Sequence, residues 1–144
     1  MPAKANAVWQ GDLKGGSGKF AAGGGGVEGA YSFTSRFEDG GGPGATPEEL
    51  LGAAHASCFS MALSNMLALA GSTPESVRTD AVVTMGRTDD GPTITKVTLT
   101  TVGRVPGNDQ AAFAEAAEQT RATCTVSRAL AAIPEVTIEA TLEG

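Results

Sequence analysis

Cys58 stands three residues after His55, the only histidine of the chain, in the stretch ATPEELLGAAHASCFSMALSNML, residues 45–67. On a helix that spacing puts both side chains on one face. These residue types suit nucleophilic chemistry. A thiolate attacks a peroxide oxygen, a disulfide sulfur or an acyl carbon, and a neighbouring imidazole can take the thiol proton. The plainer alternative is a cysteine acting as a small core residue, beside a histidine that satisfies a buried hydrogen bond.

Cys124, the second of two cysteines, follows EQTRAT at a junction between expected helices. At the head of the later helix, its thiolate would be favoured by the dipole. Two cysteines on two core helices can form a redox pair. Cys58 sits about three turns into its own helix, beyond reach of the helix N-terminus, and desolvation disfavours its charged form. A reactive Cys58 therefore needs a cation. Arg36, at the end of AYSFTSRF, is the candidate, because a guanidinium stays charged at every physiological pH. Two cysteines are too few for a tetrahedral zinc site, even with His55 added.

The segments TSRFEDG, ATPEELLGAAHASCFSMAL and TCTVSRAL, in that order, resemble the osmotically inducible protein C / organic hydroperoxide resistance (OsmC/Ohr) family. The likeness covers almost the whole chain. SRFE and GAAHASCF look more like the osmotically inducible branch. The resemblance implies a thiol peroxidase. The cysteine matching Cys58 attacks a hydroperoxide and releases an alcohol or water. The sulfenic acid then condenses with the cysteine matching Cys124, and an external dithiol or lipoyl-type reductant reopens the disulfide. The arginine and glutamate matching Arg36 and Glu48 complete the site. The resemblance also implies an intertwined homodimer with both long helices at its centre, and no metal or bound organic cofactor.

The residue types fit those roles. A guanidinium fork meets the developing alkoxide with two donors, and a carboxylate can hold that fork. A resolving thiol protects a sulfenic acid from overoxidation. A dry pocket lined by Leu, Met and Phe would favour organic hydroperoxides over hydrogen peroxide. Thr125 departs from the family pattern, which commonly has proline after the resolving cysteine; proline presets a first helical turn. Two other classes stay open: a Cys-His hydrolase acylated at Cys58 with His55 as base, and a non-catalytic dimer that binds apolar ligands.

The elements that must position these residues can be read in outline. ANAVWQG and LKGGSGKF read as short strands, AAGGGGVEG as a loop, and AYSFTSRF as a strand ending near Arg36. Neither glycine run is a phosphate loop. No Gly-Lys-Ser/Thr follows AAGGGGVEG, and in GGSGKF Phe20 stands where a hydroxyl would be needed. EDGGGPGATP is a long loop. Thr46 as N-cap, Pro47 at the first helical position and two acids then open a helix that runs to about residue 70, with Gly71 as its stop. SVRTDAVVTMGR and ITKVTLTTVGRV form an antiparallel pair across TDDGPT. A second helix starts at Asn108 or Asp109. TVSRALAAI is a third, shorter helix or a kinked continuation, and EVTIEATLE is a final strand. The order predicts one α+β domain over residues 1–144, with a mainly antiparallel sheet and two long core helices.

The helix around Cys58 is apolar on every side, which suits a core or a membrane. It has the length of a span, about 20 residues. Its Ala, Ser and Gly content, its His and Asn, and the lack of close Lys/Arg flanks or aromatic belts argue against one. A single 144-residue subunit cannot easily surround such a helix, so a homodimer is expected. The net charge of −6 and ten scattered basic residues exclude an obvious nucleic-acid surface and disfavour an anionic membrane. MPAKANAVWQGDLKGG has no apolar signal region, so a cytoplasmic location is expected.

Overall fold

The computed structural model describes residues 1–38 and 44–143. The loop expected over 38–47 falls partly on residues 39–43, outside the described residues. The chain divides into two compact units, residues 1–50 and 51–144.

The first unit is an antiparallel meander of β1 (Ala5–Gln10), β2 (Ser17–Ala22) and β3 (Val27–Tyr31). The glycine run is shorter as a loop than its composition suggests. Ala21 and Ala22 belong to β2 and Val27 to β3, leaving a tight turn at Gly23–Gly25, where all three glycines take positive φ.

AYSFTSRF is not a strand throughout. β3 ends at Tyr31, and α1 (Phe33–Phe37) follows. The reason is a local capping box. Ser32 Oγ accepts from the Ser35 N–H at 3.1 Å, and Ser35 Oγ accepts from the Ser32 N–H at 2.9 Å. Phe33 and Phe37 then stack one turn apart, with ring centroids 5.1 Å from each other. Arg36 therefore projects from a one-turn helix rather than from a strand.

α2 (Pro47–Leu69) begins and ends where its sequence signals stand. Thr46 Oγ1 accepts from the Glu49 N–H at 3.1 Å, and Glu49 Oε2 accepts from the Thr46 N–H at 2.7 Å. Glu49 is thus half of a reciprocal cap rather than only a first-turn acid. At the other end Gly71 has φ +92°. Its N–H donates to Ala68 O and that of Ser72 to Leu67 O, which closes the last turn.

In the second unit β4 (Ser76–Thr88) and β5 (Gly91–Arg104) form the expected hairpin, with Gly91 supplying the left-handed residue at φ +96°. β6 (Glu135–Leu142) lies on the other edge of β5 and runs parallel to it. There are thus two three-stranded sheets where one was expected, and the second is mixed. The parallel pairing follows from what separates the strands. α3 (Gln110–Thr123) and α4 (Thr125–Ala129) intervene between β5 and β6 and carry the chain back to the same sheet end.

The core gathers Phe59, Leu63 and Leu67 from α2, Val97 and Leu99 from β5, Val105 just after β5, Phe113 and Ala117 from α3, and Cys124. α2 is long and apolar enough to cross a membrane by length and composition. Yet its burial follows one stripe at helical spacing: Gly52, His55, Phe59, Leu63 and Leu67. Met61 and Leu69 lie off that stripe and are 77% and 81% exposed.

Candidate functional site

Arg36 and Glu48 form a two-pronged ion pair in the first unit. Nη2 and Nε of the guanidinium donate to Glu48 Oε1 at 2.7 and 3.0 Å, and Nε also approaches Oε2 at 3.3 Å. The guanidinium carbon lies 5.1 Å from the Phe37 ring centre, a cation–π distance. Glu48 is buried in the first turn of α2, whereas the Arg36 side chain keeps 38% of its exposure. A carboxylate anchored this way fixes the plane of the fork, and the guanidinium's other N–H groups make no hydrogen bond among the described residues. An apolar cavity of about 190 Å³ in the same unit is lined by Ala7, Phe20, Tyr31, Ala45, Pro47 and Leu50. Two of its walls, Pro47 and Leu50, bracket Glu48 on α2.

Cys58 and Cys124 belong to the second unit, and both are free thiols. Cys58 is half-buried and packs against the core cluster of which Cys124 is a member. Cys124, 3% exposed, closes α3 and opens α4. Its backbone is extended, at φ −63° and ψ 142°, so α4 is a separate helix rather than a continuation of α3. Its Sγ serves as the α4 cap, accepting from the Ser127 N–H at 3.3 Å. Thr125 occupies the first helical position, where the N–H has no intrahelical partner in any case. Threonine in place of proline therefore leaves the local cap intact.

The structure resolves the role of His55 differently from a Cys-His pair. His55 is fully buried, and its Nε2 lies 2.7 Å from Ser127 Oγ. That hydroxyl lies 2.9 Å from Cys124 Sγ. The imidazole thus meets a hydroxyl bridge to Cys124, and its Nδ1 has no hydrogen-bond partner among the described residues. Desolvation by burial lowers the His55 pKa below its ordinary 6.5, so the ring is neutral at physiological pH.

Ser127 is the residue that sequence reading missed. Its signal was the C-x-x-S spacing in TCTVSRAL, which places a cap side chain over the third helical residue. The remaining hydroxyls have structural duties. Ser57 Oγ donates to Ala54 O, and Ser60 Oγ joins Thr79 and Thr101 in a partly buried hydroxyl chain. Arg121 pairs with Glu118 at 2.9 Å, and Arg128 is exposed. Among the described residues no three His, Cys, Asp or Glu side chains cluster as metal ligands.

Residues 39–139 match the OsmC-like protein family. Peroxiredoxin OsmC of Escherichia coli (strain K12) is 44% identical over 142 residues, covering 98% of this chain and 96% of that protein. The fold recurs in solved structures at lower identity. An OsmC-like protein from Mycoplasma pneumoniae superposes with a TM-score of 0.76 at 14% identity, covering 100% of this chain and 99% of the other. The organic hydroperoxide resistance protein OhrB of Bacillus subtilis gives 0.69 at 18% identity, covering 97% and 98%.

Proposed function

Because the chain belongs to the OsmC-like protein family, we propose that it is a thiol-dependent peroxidase. It reduces organic hydroperoxides, and hydrogen peroxide, in oxidative and osmotic stress defence in the cytoplasm. Its 44% identity to a peroxiredoxin over nearly the full length supports a peroxidase-type redox role. The observation that carries the finer reading is a pair of free thiols on one core cluster, in a chain that also holds a two-pronged Arg36–Glu48 pair.

The Cys58 thiolate attacks the distal peroxide oxygen. The O–O bond breaks, Cys58 becomes a sulfenic acid, and the departing alkoxide takes a proton to leave as alcohol. Arg36 meets the alkoxide charge, and Glu48 holds Arg36 in position. Cys124 then attacks the Cys58 sulfur, forms an intrachain disulfide and expels water. An external dithiol or lipoyl-type reductant restores both thiols, and no bound cofactor takes part. The apolar cavity near Glu48 favours organic substrates.

The working unit in this reading is a homodimer. A second copy covers the exposed face of α2 that carries Met61 and Leu69. Glu48 and Cys58 sit ten residues apart on one helix, a rise of about 15 Å with side chains about 80° apart in azimuth. One arginine hardly serves both. The Arg36–Glu48 pair of one protomer therefore works with Cys58 of the other.

The test is titration of the reduced protein with cumene hydroperoxide, read by mass spectrometry. One equivalent should consume both thiols and leave a Cys58–Cys124 disulfide that dithiothreitol reverses. Cys124→Ser should stop at a Cys58 sulfenic acid. A Cys58 that ignores peroxide but is acylated by esters would replace this reading with the hydrolase.

A further inference from the structure

We propose that Ser127 and His55 form a proton relay that activates Cys124 as the resolving thiol; the proposal rests on the thiol-peroxidase reading above. Three side chains, from α2, from α4 and from the α3–α4 junction, form one hydrogen-bonded chain. His55 Nε2, Ser127 Oγ and Cys124 Sγ are separated by 2.7 and 2.9 Å. A cap alone does not account for this hydrogen-bonded chain. The α4 cap needs only the bond from the Ser127 N–H to Sγ, and an imidazole behind the hydroxyl adds nothing to it. Burying that imidazole with Nδ1 unpartnered carries a cost.

The need for a base is equally local. Cys124 is 3% exposed, so bulk water is poorly placed to take its proton. Among the described residues, no carboxylate or amine is hydrogen-bonded to its sulfur or to the Ser127 hydroxyl. With the resting proton on Nδ1, Nε2 accepts from Ser127 Oγ–H and Oγ accepts from the Cys124 S–H. As the Cys124 electron pair forms the S–S bond, its proton passes to Oγ and the serine proton passes to Nε2. The Cys58 S–O bond breaks and its electron pair leaves with hydroxide. One sulfur is oxidised and the other reduced by the same amount. The imidazolium returns one proton, the hydroxide takes one up, and the net product is water. Ser127 touches the reacting sulfur and is the catalytic residue of the pair. His55 acts through it.

The experiment follows the resolving step by itself. Reduced protein is mixed with one equivalent of cumene hydroperoxide and quenched over time. Dimedone traps any Cys58 sulfenic acid, and mass spectrometry counts disulfide. In Ser127→Ala and in His55→Gln, which can hydrogen-bond the serine but cannot take its proton, sulfenic acid should form at the parent rate. Disulfide formation should slow on the order of 10²-fold, the lower range for general-base catalysis. Ser127→Thr, which keeps the hydroxyl, should resolve within a few-fold of the parent, a rescue that a purely structural role does not predict for a bulkier residue. The same variants in a Cys58→Ser background are reacted with methyl methanethiosulfonate at Cys124, and the same ranking is expected there without any peroxide. Parent-like resolution in His55→Gln, or in any folded Ser127→Ala, would overturn the relay. If the parent forms no sulfenic acid while the ranking at Cys124 persists, the peroxidase reading fails and the relay stands. Should Ser127→Ala fail to fold, the His55→Gln and Ser127→Thr comparison decides.

Discussion

Gly103 in β5 leaves room for Phe113 of α3, and filling that room should both weaken the fold and disturb Cys124. A Cβ on residue 103 would stand 2.4 and 2.6 Å from Cε2 and Cζ of the Phe113 ring, and 3.3 Å from Cδ2. The ring is fully buried and β5 is the central strand of its sheet, so neither partner moves freely. Gly103 does not take positive φ, so Gly103→Ala adds no backbone strain of its own. Overpacking of this kind costs about 1–3 kcal/mol. The alanine returns about 0.4–1 kcal/mol by restricting the unfolded chain. The expected net loss is about 1.3 kcal/mol. With a urea m-value of about 2 kcal/mol/M, that is a midpoint shift of roughly 0.6–0.7 M. The assay is equilibrium urea unfolding at one fixed protein concentration, because an associating protein has a concentration-dependent midpoint. Because Cys124 terminates α3, the same variant should also form disulfide more slowly at matched folded fraction. Phe113→Leu in the same chain should recover part of the stability, giving a favourable coupling of the two changes. A Gly103→Ala protein within 0.5 kcal/mol of the parent would show that the ring has free space, and the packing argument would be wrong.

Arg36→Ala should slow oxidation of Cys58 by hydroperoxide on the order of 10²-fold, measured by stopped-flow thiol loss, with little change in the urea midpoint. A rate equal to the parent's would remove Arg36 from the reaction. His55 has a lowered pKa, so the unfolded chain binds its proton first. The stability that a neutral His55 permits is present above pH 6.5 and is lost as pH falls below it. The parent should therefore lose stability between pH 7 and pH 5 more steeply than His55→Gln, by at most about 1.4 kcal/mol per pH unit for one proton. Identical slopes would mean that the ring is not held neutral. Thr46→Ala removes the serviceable half of the α2 cap and should cost about 1 kcal/mol of stability in the same denaturation assay. Thr46→Ser should cost a few tenths of that or less.

The boundaries of α2 were legible in the sequence because their causes are local. Thr46, Glu49 and Gly71 act within a turn of the residues they cap. The β4–β5 hairpin and the Asp109 start of α3 were legible for the same reason. The two cysteines and the Arg36–Glu48 pair could be singled out from residue type and from family resemblance. α1 was misread because two local signals compete over AYSFTSRF. Alternation favours a strand, and the Ser32–Ser35 box favours a helix; the box makes two hydrogen bonds that alternation alone does not supply.

Other features needed the folded chain. An apolar circumference on α2 carries no periodic signal, so only packing against the second unit's core selects the stripe from Gly52 to Leu67. The splitting of the strands into two sheets, and the parallel docking of β6, depend on pairings between residues tens of positions apart. The partner of His55 is the sharpest case. Cys58 is its neighbour in sequence, but the hydrogen bond goes to Ser127, 72 residues away. Helical spacing decides which side chains share a face. Only the tertiary arrangement decides which groups of other elements that face meets.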